Sequence, residues 1–594
     1  MEIPLLIVSL IFLCFFSSAL SSSVVTHLPG FQGPLPFYLE TGYVEVDLEH
    51  GGEFFYYFIE SENKPAEDPL FLWLTGGPRC TVFNGLVFEI GPLKFVTAEY
   101  NGSLPSLVYN PYSWTTLKSL EQQRRKKKAK MEIPLLIVSL IFLCFFSSAL
   151  SFSVVTHLPG FQGPLPFYLE TGYVEVDLEH GGEFFYYFIE SENKPAEDPL
   201  FLWLTGGPRC TVFNGLVFEI GPLKFVTAEY NGSLPSLGYH PYAWTKVANV
   251  IFLDSPLGSG FSYSRKYEGY DANDTVWSEQ TYKFLIQWLV EHPQFISNPL
   301  YIAGDSYAGK IVPMVAKRIL DGIDEGKEPL LNLQGYIIGN PATGGKVDRN
   351  SQIPYAHSMG IISDDFFEMI QKSCSGQDYR TPTDPQCQMY LTSFNNSFLS
   401  EINQGHILEV NCPICYLNAL HGHGSTTFGK RILKQNQNII QPPFPDLSCR
   451  CYASTLAYYW ANRGIVRKAL NVRKGTIKEW VTCNRHLPYT KELKSNMKYH
   501  LSLLQRGYRA LVYSGDHDLM IPFSGTKQWI KPLNSPIVEN WRSWHVDGQV
   551  AGYTMTYFNN LTFATVKGAG HTAPEYKPQE CLAMITRWIS GAPL

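Results

Sequence analysis

From Tyr173 onward, short apolar runs alternate with turn signals. Residues 183–190 (EFFYYFIE) and Leu200–Leu204 (LFLWL) predict strands, the second ending at Gly206-Gly207-Pro208, and Asn249–Leu253 (NVIFL) predicts a third. Between residues 280 and 292, Tyr282, Phe284, Leu285, Trp288 and Leu289 recur at the spacing of one helix face. Residues 300–303 (LYIA) predict a short strand that runs into Gly304-Asp305-Ser306, with a helix expected over 310–321. The alternation returns after Tyr508, with a strand at 510–513 (ALVY) leading to Gly515-Asp516-His517-Asp518. A last strand, Leu561–Val566, precedes the loop 568–574. Strands alternating with helices predict an α/β fold, a mostly parallel central sheet with helices on both faces. The pattern breaks between about 351 and 461, which reads as a disulfide-braced insertion over the sheet edge that carries the site.

The chain also repeats itself. Residues 1–116 recur at 131–246 with scattered differences, among them Ser22 against Phe152 and Val108 against Gly238. Two long copies of one segment do not make a repeat architecture, which stacks several short units. Residues 1–22 have the layout of a secretory leader, an apolar stretch followed by small residues, and the same stretch returns at 131–152. An internal leader with its own methionine is what a fusion of neighbouring reading frames gives. The alternative is a transmembrane helix with the basic run RRKKKAK (124–130) beside it. The fusion reading divides the chain into a leader-like 1–22, a partial duplicate 23–116 of 153–246, a basic junction 117–130, a leader copy 131–152 and a working domain 153–594. No stable membrane span is expected in the mature protein.

Apolar residues at 45% against 17% charged residues suit a large globular core. A formal charge of −6 gives no footprint for nucleic acid. After the leaders and the duplicate are set aside, nine of the 12 cysteines remain: Cys210, Cys374, Cys387, Cys412, Cys415, Cys449, Cys451, Cys483 and Cys581. A secretory chain of this kind should carry disulfides, with at least one thiol left over. A zinc site from Cys412-x-x-Cys415 and Cys449-x-Cys451 is the other reading, but its C-x-C half fits zinc spacing poorly. No metal or other cofactor is expected. Sequons at Asn231, Asn273, Asn395 and Asn560 point to glycosylated loops.

The chemistry centres on Gly304-Asp305-Ser306-Tyr307-Ala308, close to the G-x-S-x-G elbow in which a strand turns sharply into a helix and small flanking residues avoid collision. A serine hydroxyl needs a base, and the base needs an acid to orient it. Asp518 and His571 follow in the order Ser, Asp, His, each just after a strand. Asp516 competes for the acid role, but it would fall inside the turn. The oxyanion hole is expected from the backbone N–H of Tyr307, with a second donor, Gly207, from the loop 205–208.

These stretches, WLTGGP (203–208), DSPLGSGFSYS (254–264), GDSYAGK (304–310), GNPATG (339–344), YSGDHDLMIP (513–522) and GAGHTAPEYKP (568–578), resemble the plant serine carboxypeptidase-like family over about 155–594. The resemblance implies an α/β-hydrolase fold with a helical insertion. It also implies disulfides Cys210–Cys483, Cys374–Cys387 and Cys412–Cys449, leaving Cys415, Cys451 and Cys581 unassigned. In the family's peptidases, an asparagine before the Gly-Gly pair and a glutamate before the nucleophile join a second glutamate, here Glu219, to bind a peptide's terminal carboxylate. This chain has Thr205 before Gly206 and Asp305 before Ser306, which resembles the family's acyltransferases. Those take an acyl group from a glucose ester and pass it to an alcohol or amine. The expectation is therefore a secretory-pathway acyltransferase, extracellular or vacuolar, with a carboxypeptidase acting on peptide C-termini at acid pH as the alternative. A catalytically impaired protein is the third reading, because Arg209 stands where the family has glycine and would strain a backbone of positive φ.

Overall fold

The computed structural model describes residues 22–47, 52–62, 65, 68–75, 81–96, 105–111, 113–116, 152–412, 446–533 and 535–594. Most of the two leader-like segments, the basic junction, Cys415 and residues 413–445 of the expected insertion lie outside them. The chain forms two compact units, Met1–Phe146 and Ser147–Leu594.

The second unit is built on a 12-stranded mixed sheet. Its centre is parallel, in the order Asn249–Leu253, Leu200–Leu204, Leu300–Asp305, Leu333–Gly339, Arg509–Gly515, Leu561–Val566. Beyond Asn249–Leu253 come the antiparallel strands Gly182–Ile189, Leu169–Asp177 and Phe152–Val154, with the two-residue strand Tyr263–Ser264 also paired to Gly182–Ile189. Beyond Leu561–Val566 lies the hairpin Ile537–Val546 and Gln549–Tyr557. The predicted parallel sheet is thus its central half, and the sequence reading placed no strand in the hairpin. Those two strands mix exposed, half-buried and a few buried positions without regular order, so the alternation that marks a strand is weak.

Side-chain alternation divides the core into two layers. Phe184, Tyr186, Phe188, Leu200, Leu202 and Leu204 face the helices Asp274–Glu291 and Ala308–Asp324. Phe185, Tyr187, Ile189, Phe201 and Trp203 face the opposite layer, with Trp460 of the helix Cys451–Ala461 and Trp588 of the helix Pro578–Ser590. The helix anticipated from residue 280 begins at Asp274, where the Asn273 side chain accepts the Val276 N–H. The strand anticipated over 300–303 continues to Asp305.

The insertion is helical where it is described: Gln352–Ser358, Asp364–Ser373, Pro385–Ser393 and Cys451–Ala461. Cys374–Cys387 joins two of these helices, Cys412–Cys449 links the two described parts of the insertion, and Cys210–Cys483 spans 273 residues. Cys451 is also disulfide-bonded and Cys581 is a buried free thiol. The pairing of Cys412 with Cys449 removes two ligands from the zinc alternative. Among the described residues no helix is long and apolar enough to cross a membrane.

The first unit holds a three-stranded antiparallel sheet, Ser22–Val24, Leu39–Asp47 and Gly52–Ile59, over a small apolar cluster. Its Leu70 and Leu72 are 84% and 85% exposed, whereas their counterparts Leu200 and Leu202 are at 1% or less.

Candidate active site

The central strands end in register: Leu204 pairs with Gly304, Asp305 with Gly339, and Gly515 with Val566. The loops leaving these carboxyl ends therefore converge, the position at which parallel α/β sheets place their sites. Ser306 occupies the sharp turn between the strand Leu300–Asp305 and the helix Ala308–Asp324 at φ +54, a left-handed conformation unusual for a side-chain-bearing residue. Its carbonyl accepts the N–H groups of Gly309 and Ala342 at 3.0 and 2.9 Å, and its own N–H donates to Gly339 at 2.9 Å. These bonds hold the turn.

His571 Nε2 lies 2.7 Å from Ser306 Oγ, and His571 Nδ1 lies 2.8 Å from Asp518 Oδ2. The buried Asp518 carboxylate also accepts from Asn340 Nδ2 at 2.8 Å and from the N–H groups of Met520 and Ile521 at 2.7 and 3.2 Å. With its acceptors so occupied, the carboxylate orients His571 to donate through Nδ1 and accept through Nε2. Burial pulls the imidazole pKa down, but the Asp518 charge and hydrogen bond, helped by Asp305, raise it above its ordinary value on balance. Asp516 turns away from this series: it accepts the Gly568 N–H at 2.7 Å and pairs with His517 Nδ1 at 2.6 Å. Such an arrangement is equipped to take a proton from the Ser306 hydroxyl and return it to a leaving group.

Gly206 and Gly207 pass directly over the turn. A Cβ on Gly206 would come within 2.6 Å of the Ser306 Cβ and 2.7 Å of the Tyr307 nitrogen. Gly207 has φ +130. Only glycine allows so close an approach. The Gly206 N–H donates to Asp305 Oδ1 at 3.3 Å. Burial pushes the Asp305 carboxyl up to about 6 despite the opposing charge of His571. Glu219 is raised well above the carboxylate range by burial first, then by Asp305 and Glu575. Its Oε2 and the Thr205 hydroxyl are buried without a protein partner.

Several contributors are not among the candidate residues that the sequence singles out. Asn340, at φ +42, bridges two loops, donating to Asp518 and accepting the Gly515 N–H at 3.2 Å. From the insertion, the Gln404 carbonyl accepts the N–H groups of Leu519 and Met520 at 3.0 and 3.2 Å, and the Gly405 carbonyl accepts that of His571 at 2.7 Å. Glu575 accepts from Thr572 Oγ1 at 2.6 Å and lies 3.7 Å from Arg450, whose guanidinium also pairs with Glu409. Asn340 lies in the GNPATG stretch and Thr572 and Glu575 in GAGHTAPEYKP, which were the available signals; backbone carbonyls leave none.

Arg209 has φ +65 and is almost fully buried. Its guanidinium donates to the carbonyls of Leu257, Tyr270 and Pro488, and burial lowers its pKa to about 10. The sequons at Asn231, Asn395 and Asn560 are exposed, whereas Asn273 is half-buried at its helix cap.

Comparison with known proteins agrees with the fold. The family model for serine carboxypeptidases matches residues 29–120 and 159–591. Serine carboxypeptidase-like 19 of Arabidopsis thaliana is 45% identical over 463 residues, 77% of this chain and 99% of the relative. Serine carboxypeptidase-like 17 of the same plant is 45% identical over 443 residues, 74% of this chain and 94% of the relative. Among solved structures, the prohormone-processing carboxypeptidase KEX1(delta)p from Saccharomyces cerevisiae aligns with a TM-score of 0.55 at 18% identity, covering 72% of this chain and 92% of that one. This chain belongs to the serine carboxypeptidase family, as a carboxypeptidase-like hydrolase of the α/β-hydrolase fold.

Proposed function

We propose that the protein is a serine acyltransferase of the secretory pathway, extracellular or vacuolar, that moves an acyl group from a glucose ester to an alcohol or amine. Ser306 Oγ attacks the ester carbonyl while His571 Nε2 takes its proton; the N–H groups of Tyr307 and Gly207 stabilise the oxyanion. As the carbon–oxygen bond to glucose breaks, His571 returns the proton to the departing oxygen. The acceptor then gives its proton to His571 as it attacks the acyl carbon, and His571 passes that proton to Ser306 Oγ as the bond between the acyl carbon and Oγ breaks.

The observation that carries this reading over hydrolysis of peptides is the pair Thr205 and Asp305 beside the nucleophile. The short Asp305 carboxyl is engaged by the Gly206 N–H, and Thr205 presents a hydroxyl where an amide fork would clamp a carboxylate. Thr205, Gly206, Asp305 and Glu219 are assigned to substrate binding. The test offers glucose-ester donors and blocked dipeptides to the purified protein. Release of C-terminal amino acids without acyl transfer would overturn the assignment.

A carboxypeptidase acting at acid pH is the second reading, and one observation favours it. Asp305 and Glu219 both have raised pKa values, so in acid they hold protons that would donate to a peptide's terminal carboxylate. The impaired reading rests on Arg209. Its backbone conformation is strained, and although its two terminal nitrogens donate to three carbonyls, its Nε is buried without a partner.

A further inference from the structure

The Tyr307 backbone N–H lies at the N-terminal end of the helix Ala308–Asp324, where donors lack intrahelical acceptors. Backbone bonds to the Ser306 carbonyl hold one side of the 306–307 peptide, and the Tyr307 side chain anchors the other. Tyr307 OH donates to Asp274 Oδ1 at 2.7 Å, and burial followed by the Asp274 charge raises its pKa so that it keeps its proton. Asp274 is fully buried and accepts three further bonds: from Tyr489 OH at 2.8 Å, Lys310 Nζ at 3.0 Å and the Leu493 N–H at 2.9 Å. Lys310 Nζ also reaches Tyr307 OH at 3.2 Å and lies 4.8 Å from the centre of its ring. Trp277 stacks parallel to that ring at 6.3 Å, and Tyr489 meets it edge-on at 5.8 Å.

One buried carboxylate thus gathers donors from the nucleophile's helix and from the chain at 489–493, and its strongest geometric link runs to the residue after Ser306. A side chain so held leaves the peptide at 306–307 little freedom. An oxyanion donor is effective only when it needs no reorganisation as charge develops.

We propose that Asp274 is a positioning residue for acyl transfer, acting through the Tyr307 hydroxyl to hold the Tyr307 N–H on the reacting oxygen. The inference rests on the Ser306 acyl-enzyme reading. It assigns the buried Lys310–Asp274 pair a role in the transition state that stability alone does not require.

The test is Tyr307→Phe in the purified protein, with 4-nitrophenyl acetate turnover and the rate of Ser306 labelling by an organophosphate as readouts. Expected is a fall in kcat of about tenfold, equivalent to about 1.4 kcal/mol, with KM changed less than twofold and labelling slowed in parallel. Asp274→Asn, which keeps the shape and removes the charge, is expected to lower kcat at least as much. Should that variant not fold, Tyr307→Phe decides alone. Undiminished kcat, or a loss confined to KM, overturns the inference while the Ser306 reading stands. A parent protein that is never labelled at Ser306 overturns both.

Discussion

The carbonyl of Gly405 accepts the backbone N–H of His571 at 2.7 Å. Gly405 belongs to the insertion and His571 to the loop after the last central strand, so the insertion is part of what sets the imidazole's place. Its neighbour Gln404 holds the Asp518 loop by two further backbone bonds. The insertion therefore fastens both loops that meet Ser306.

Asn340 should prove nearly as sensitive as the residues it supports. Replacing Asn340 by Gly keeps the positive φ available but removes the donor to Asp518 and the acceptor for Gly515. A hydrogen bond to a charged group contributes about 1.5–3 kcal/mol. The expected outcome is a fall in kcat of roughly 10- to 100-fold and a lower melting temperature, measured by steady-state kinetics and calorimetry.

Asp305 should make stability depend on pH. Its folded pKa, about 6, lies above the ordinary carboxylate value of 3.8. A group raised on folding stabilises the protein fully below its unfolded pKa, and that contribution is lost as pH rises through the folded one. Stability should therefore decline between pH 4 and about 6, by roughly 3 kcal/mol at most. In Asp305→Asn that decline is expected to shrink, as followed by urea unfolding at a series of pH values. An unchanged profile would place the titration elsewhere.

The raised His571 pKa has a kinetic counterpart. The imidazole must be neutral to accept the Ser306 proton, and Asp518 stabilises its protonated form. The acid limb of kcat/KM is therefore expected above pH 6.5, the ordinary histidine value, and Asp518→Asn should move it downward while lowering kcat by about 10⁴-fold. A limb that stays in place in the variant would assign it to another group.

Arg209→Gly is expected to destabilise the protein even though it relieves a left-handed backbone. The relief is about 1–2 kcal/mol. The change also leaves the carbonyl of the buried Leu257 without its donor, at about 1–3 kcal/mol, and removes the packing of a side chain that is only 2% exposed. The net loss should appear as a lower denaturant midpoint; a gain in stability would show that water replaces the guanidinium without cost.

A chain beginning at Ser153 should fold and react like the longer one, because every residue assigned to the site lies in 205–575. The comparison is of kcat and melting temperature, with N-terminal sequencing of the isolated protein as the direct check on the leader at 131–152.

The strand-end order of Ser306, Asp518 and His571 was legible in the sequence, because each follows an apolar run and a turn signal. So were the paired cysteines 210–483, 374–387 and 412–449, through the family resemblance. The brace from Asn340 and the carbonyls of Gln404 and Gly405 were not, since backbone groups have no residue signature and the insertion's path over the sheet is a long-range matter. The edge hairpin was missed because its half-exposed strands lack the alternation that a buried face imposes.

One stretch separates the two sources of information. The sequence LFLWL occurs twice, at 70–74 and at 200–204. Its composition determines an apolar segment of high strand propensity in both places. At 200–204 it is a fully buried strand, bonded to Asn249–Leu253 on one side and Leu300–Asp305 on the other. At 70–74 the same five residues form no strand, and Leu70 and Leu72 stand exposed. A strand's hydrogen bonds and most of its apolar burial come from neighbours distant in sequence. The sequence by itself determined which segments seek a core and in what order the reactive side chains follow them. Only the tertiary structure decided which copy finds the neighbours that make it a strand, and hence where the site is built.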